Sequence, residues 1–325
     1  MSGASPAARP KVLVVGMDGL RFDRIAAVGA PVLLELMSSG ACGTGLLPYG
    51  EAATPRTESP GEVVPSRTSQ DAPPGGGALA ATILGAAATG ERAGIVARTD
   101  SGPGWSSIAT GVWPDKHGVV DNGFVAADFS KYPDFLVRAK AARPDLSTYA
   151  IFSWAALAEH GAFGAAIDER VVLDGYADTF AACDLLVADL AERHLAEQDP
   201  DLAFVYFGDT DEVAHRLGPL CQEYADALLL QDAFLGRLLA AVRGRPSYAR
   251  ERWTVLVTTD HGHLDEGGHG GVTDEERATF VIMSELDRPT PPLRAPRLVD
   301  LAPTALSRVG VAIDPAWGLD GRPLD

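Results

Sequence analysis

The segment 258–271, TTDHGHLDEGGHGG, gathers three histidines and three acidic residues among five glycines. A solvated loop has no use for three imidazoles, and a packed core could not satisfy their polar atoms. A bound cation is the natural reason for such a set. Asp260 and His261 are adjacent at the end of the apolar run WTVLVT, where the chain can splay them toward different ions. His269 sits between glycines that permit close backbone approach. His263 reads as a supporting or substrate-contacting residue rather than a ligand. In GDTDEVAHRLGP, Asp211 and His215 lie four apart, which puts both on one face of a helix starting there. Asp18 follows the apolar run VLVVGM. Carboxylates mixed with imidazoles, without thiolate, suit Zn²⁺ or Mn²⁺. Six ligands allow three for each of two ions. Two ions about 4 Å apart can activate a nucleophile and stabilise a leaving oxygen.

The hydroxyl for such chemistry is found in TDSGPGWSSIATGV. Residues 105–110 read as a short helix ending at Gly111, with Ser101 just ahead of it. A helix N-terminus favours an incoming phosphate, and metal coordination would activate the serine without a His–Asp relay. Ser101 is therefore both the candidate nucleophile and a candidate metal contact, although helix capping alone would also account for a serine there. Thr99 is the rival hydroxyl.

These residues need a frame. Apolar runs at 12–15, 148–152, 203–207, 254–258 and 279–283 read as buried strands, and longer helical patterns occupy 177–196, 223–242 and 299–309. Strand alternating with helix predicts an α/β fold: a mostly parallel central sheet with helices on both faces. Ligands of such sheets bind beyond the carboxyl ends of the strands. Three strands run straight into Asp18, Asp209/Asp211 and Asp260, which predicts one shared site rather than three unrelated turns. The segment 51–94, rich in Pro, Gly, Ser and Thr, reads as a flexible insertion, a lid or a tolerated surface excursion. The rest of 1–325 is expected to form one catalytic domain.

Composition narrows the partners. A formal net charge of −17 argues against nucleic acid and anionic membrane, both of which reward clustered Lys and Arg. An acidic protein can still bind phosphorylated small molecules once cations invert the local field. Cys42, Cys183 and Cys221 form no metal or disulfide pattern, and the N-terminal apolar run is too short for a signal peptide. A cytoplasmic location is expected.

The motifs VVGMDGLRFD, TGVWPDKHGVVDN, YFGDTDEVAH, TTDHGH with GGHGG, and LVDLAPTALSRVGV with DGRPL occur in this order. Together they resemble the alkaline-phosphatase superfamily, most closely its type I phosphodiesterase and nucleotide pyrophosphatase branch. The resemblance implies the three-layer sandwich of that superfamily. It also implies one ion at Asp18, Asp260 and His261, and a second at Asp211, His215 and His269. Ser101 falls at the nucleophile position, and Asn122 matches an asparagine that contacts a phosphate oxygen. Two features depart from the branch: serine replaces its usual threonine, within a Ser-Gly-Pro-Gly-Trp loop, and His269 follows His261 by only eight residues. The expected activity is two-metal hydrolysis of phosphodiesters or nucleotide pyrophosphates through a phosphoseryl intermediate, on a small phosphorylated substrate such as a nucleotide. Phosphomonoesterase and phosphonate hydrolase are the alternatives, ahead of a phosphotransferase or a non-catalytic metal-binding module. His160, His194 and His117 read as structural, and Arg21 as a surface ion pair.

Overall fold

The computed structural model describes residues 8–50, 94–293 and 295–324. The insertion read at 51–94 falls outside them except for Gly94. Seven strands form one sheet: β1 (Arg9–Met17), β2 (Ala41–Leu46), β3 (Thr148–Phe152), β4 (Glu169–Val172), β5 (Leu202–Phe207), β6 (Glu251–Thr258) and β7 (Ala278–Glu285). Their order is β2-β7-β6-β1-β5-β3-β4. The run β6-β1-β5-β3-β4 is parallel throughout, and β7 is antiparallel to both β6 and β2. The helices are α1 (Phe22–Val28), α2 (Pro31–Ser39), α3 (Ser101–Thr110), α4 (Pro114–His117), α5 (Phe135–Ala142) and α6 (Ala156–Glu159). They continue with α7 (Phe180–Glu197), α8 (Asp209–Leu217), α9 (Gln222–Arg243), α10 (Asp274–Arg277) and α11 (Leu301–Arg308).

The apolar runs read as strands because both sheet faces are covered, so neither side of the pleat can be polar. In β1, Val12 and Val14 join one core with Trp105, Phe135, Leu301 and Leu306. Leu13, Val15 and Met17, pointing the other way, join a second core with Ile25, Leu33, Val187 and Leu235. Helices α3, α5 and α11 thus cover one face, and α1, α2, α7 and α9 the other, as expected.

Two strands escape the sequence reading. β2, ACGTGL, carries glycines because Pro296 packs where side chains would stand: a Cβ on Gly43 would lie 2.6 Å from its ring. β4, ERVV, is a short, half-exposed strand at the sheet edge. The helix read at 105–110 ends at Gly111, in left-handed conformation, but starts earlier, at Ser101. Gly102-Pro103-Gly104 reads as a turn yet forms its first turn of helix. Gly104 is needed there, because a Cβ would come within 2.7 Å of the Asp260 Cβ.

Candidate active site and metal centre

The three central strands end side by side. Register pairs Met17 of β1 with Phe207 of β5, and Gly16 with Thr258 of β6. Asp18, Asp211 and Asp260 therefore emerge at one place. The chain turns at Gly19, whose φ of 61° suits glycine. A Cβ there would lie 2.5 Å from His263 Nε2 and 2.7 Å from Asp211 Oδ1. The turn is pinned by Tyr224, whose hydroxyl accepts from Arg21 N–H and donates to the Gly19 carbonyl.

Asp18 is buried, and two donors hold one of its oxygens: the Trp105 indole N–H at 2.8 Å and the Tyr206 hydroxyl at 2.5 Å, both on Oδ2. The other oxygen, Oδ1, is buried without a hydrogen-bond partner, as is Asp260 Oδ2. These two atoms lie 3.5 and 3.2 Å from His261 Nε2. His261 Nδ1 faces the Gly262 carbonyl at 3.1 Å; a carbonyl only accepts, so Nδ1 carries the proton and Nε2 offers a lone pair. Two unpartnered carboxylate oxygens and an imidazole lone pair in one buried spot are costly by themselves. They fit a divalent cation, whose charge would satisfy all three. Burial and then the nearby Asp211 push Asp18 up to about 7. Burial, Asp18 and Asp211 drive Asp260 well above the carboxylate range. A cation reverses that repulsion.

The second group lies alongside. On α8, Asp211 Oδ2 is 3.4 Å from His215 Nε2, one turn on. His269 Nε2 is 2.8 Å from His215 Nε2 and 3.5 Å from Asp211 Oδ1. His269 Nδ1 donates to the Thr99 carbonyl at 2.5 Å, so its Nε2 lone pair also faces the centre; burial lowers its pKa to about 4. Asp211 is held well below the carboxylate range because His215 and His263, then the charges of His261 and His263, outweigh its burial. His263, fully buried, places Nε2 2.8 Å from Asp211 Oδ1. Ligand atoms of Asp211, His261, His263 and His269 lie within 4.8 Å of one another, as do those of Asp18, Asp260 and His261. His215 borders the first set through its contacts with His269 and Asp211.

Ser101 is the first residue of α3; Asp100, not Ser101, occupies the cap position. Its Oγ lies 3.2 Å from His261 Nε2. Thr99 is otherwise engaged: its hydroxyl donates to the Gly271 carbonyl and accepts from Gly270 N–H, so it latches the glycine-rich loop. The helix N-terminus offers less to an anion than the sequence suggests, since Pro103 has no N–H and that of Gly102 goes to Asn122 Oδ1 at 2.7 Å. That bond leaves the Asn122 amide N–H groups as the donors.

A cleft beside these groups is lined by Asp18, Ser101, Asn122, Asp211, His215 and His269 together with Gly208 and the aromatic Trp154, Tyr176, Phe180 and Tyr206. Among the described residues no Lys or Arg lines it. Arg21 pairs with Asp23 and Asp265. His160 stacks on Phe124 and His194 on Tyr149, and His117 is buried against Ser107. All four fit their structural readings. The sequence reading missed Trp105 and Tyr206, the two donors to Asp18. Tyr206 stands in the strand that delivers Asp211 and Trp105 four residues after Ser101, yet nothing in either motif says that both converge on Asp18.

Adjacent strand ends, two acidic-imidazole clusters and a serine at a helix start define a hydrolase-like centre of the alkaline-phosphatase kind. The chain belongs to the type I phosphodiesterase/nucleotide pyrophosphatase family, whose profile matches residues 95–278, more than half of its length. No curated protein matches it in sequence. Among solved structures it is similar in fold to murine ectonucleotide pyrophosphatase/phosphodiesterase 5, at 14% identity and TM-score 0.56, covering 93% of this chain and 95% of that one. An inactive form of that protein was solved with AMP. The phosphonate monoester hydrolase of Agrobacterium radiobacter aligns at 14% identity and TM-score 0.61, over 97% of this chain and 76% of that one. A protein in the alkaline phosphatase superfamily from Vibrio parahaemolyticus aligns at 16% identity and TM-score 0.59, over 97% and 69%.

Proposed function

We propose that the protein is a divalent-cation-dependent phosphoric ester hydrolase acting on diesters or nucleotide pyrophosphates, with Ser101 as nucleophile. The observation that carries the reading is the Ser101 hydroxyl 3.2 Å from His261 Nε2, at a cluster whose Asp18 and Asp260 oxygens lack protein partners. Asp18, Asp260, His261 and the Ser101 hydroxyl would hold one cation, and Asp211, His215 and His269 a second, zinc or manganese by donor type. Such cations supply the positive charge that lets a hydroxyl react as an alkoxide and that neutralises a departing oxygen.

The chain's own residues do the rest. Ser101 Oγ, its proton given up to water, attacks phosphorus in line. The bond from phosphorus to one ester or bridging oxygen breaks, and that oxygen leaves and takes a proton from water. Ser101 is left joined to the retained half of the substrate as a seryl phosphodiester. Asn122 donates from its amide nitrogen to a phosphoryl oxygen, where negative charge grows. Trp105 and Tyr206 keep Asp18 oriented and favour its ionised form. Water then attacks that phosphorus, the bond to Ser101 Oγ breaks, the serine regains its proton and a phosphate monoester is released.

Diesters are favoured over monoesters because a monoester dianion asks for another positive group, usually Arg or Lys, and among the described residues none lines the cleft. Trp154, Tyr176 and Phe180 suit a flat, apolar leaving or retained group. The AMP bound by the murine protein is in keeping with a nucleotide. The three cysteines are free thiols, in keeping with a reducing compartment such as the cytoplasm.

Ser101→Ala should retain bound metal while turnover falls roughly a thousandfold or more; near-normal hydrolysis would end the assignment. Bis-p-nitrophenyl phosphate and the p-nitrophenyl ester of thymidylate should be cleaved faster than p-nitrophenyl phosphate. The reverse order would replace the diester reading with a monoesterase.

A further inference from the structure

A second cleft, of about 250 Å³, opens between α5 and the C-terminal segment, lined by Pro133, Val137, Arg138, Ala141, Ala142 and Trp317. It shares no lining residue with the catalytic cleft. Its walls are apolar except for Arg138, which is only 5% exposed. A guanidinium that deeply buried normally faces a carboxylate, because an unpaired charge is costly to desolvate. Among the described residues Arg138 has no ion-pair partner. Its Nε donates to the Pro133 carbonyl at 3.0 Å, and its guanidinium lies over the Trp317 ring at 5.2 Å. Its Nη2 is buried without a hydrogen-bond partner. The nearest acidic influence, Asp134, spends its oxygens on the amides of Leu136, Val137 and Gly164.

We propose that this cleft binds a small amphipathic carboxylate, its flat apolar body against Trp317 and Val137 and its carboxylate on Arg138. One guanidinium with spare N–H groups matches one carboxylate. Apart from Arg138, the described lining residues are apolar and add no second cation, which disfavours a phosphate dianion. The Trp317 ring helps to hold the guanidinium in place, as aromatic–cation contacts do. The site stands independently of the catalytic reading.

Isothermal titration of the full chain with 2-naphthoate, and with the uncharged 2-naphthamide of the same shape, tests this. Saturable one-to-one binding of the acid is expected, with the amide about ten- to a hundredfold weaker. Arg138→Met should erase that preference while circular dichroism shows a folded chain. Ala141→Trp, at an exposed wall position, should block both compounds and leaves Arg138 in place should the first variant not fold. No saturable binding by the wild type, equal affinity for acid and amide, or undiminished binding by Ala141→Trp would each overturn the proposal.

Discussion

Tyr206→Phe removes one hydroxyl and leaves the ring packed as before. That hydroxyl, buried, donates to Asp18 Oδ2 at 2.5 Å, beside the Trp105 indole N–H at 2.8 Å. Burial and then the charge of Asp18 drive the phenol well above its ordinary range, so it remains a donor at every working pH. A hydrogen bond to a charged group contributes about 1.5–3 kcal/mol. Because it favours the ionised form of Asp18, its loss should raise the Asp18 pKa from about 7. One pKa unit corresponds to about 1.36 kcal/mol, so the rise should be about 1–2 pH units. Protons then compete with cations over a wider range. In zinc or manganese titrations at pH 6–9, the pH midpoint of metal uptake should move upward by that amount. Affinity at neutral pH should fall about 10–100-fold, as for other groups that orient metal ligands. Unchanged affinity and an unmoved midpoint would refute the role of Tyr206 and, with it, the placement of Asp18 as a ligand.

Asp184 sits behind the site and accepts from the Gly208 and Asp209 amides and from Gln231. Burial raises its pKa to about 7. A carboxyl raised on folding contributes stability below its unfolded value of about 3.9, which is lost as pH rises through 7, a change of up to ~4 kcal/mol. Asp184→Asn should therefore flatten the fall in urea midpoint between pH 4 and 7 relative to wild type; an identical slope would contradict the assignment. His117, neutral because burial lowers its pKa to about 3, accepts from Val119 N–H and donates from Nε2 to Ser107, which donates to the Pro103 carbonyl. His117→Ala should cost about 2–4 kcal/mol in denaturant unfolding, since it leaves polar groups unpaired next to α3. A variant as stable as wild type would remove His117 as an anchor of that helix.

Most of the candidate ligand set is legible in the sequence because strand ends write it plainly. Asp18, Asp211 and Asp260 each close an apolar run, and parallel strands bring such ends together whatever lies between. The spacing of Asp211 and His215 on α8 is local geometry, equally readable. The start of α3 is not: Gly-Pro-Gly is turn chemistry by propensity, and the reason for glycine at 104, the close approach of Asp260, is a tertiary contact. β2 is hidden for a similar reason, since its glycines answer to Pro296, far away in sequence. The hydrogen bonds from Trp105 and Tyr206 to Asp18, and from His263 to Asp211, are tertiary contacts between residues that would serve equally well as ordinary core.

The most direct test of the central claim is anomalous diffraction from crystals grown with zinc. Two peaks about 4 Å apart are expected, one bounded by Asp18, Asp260, His261 and the Ser101 hydroxyl, the other by Asp211, His215 and His269. A lone peak elsewhere, or two peaks with the Ser101 oxygen in contact with neither, would contradict it.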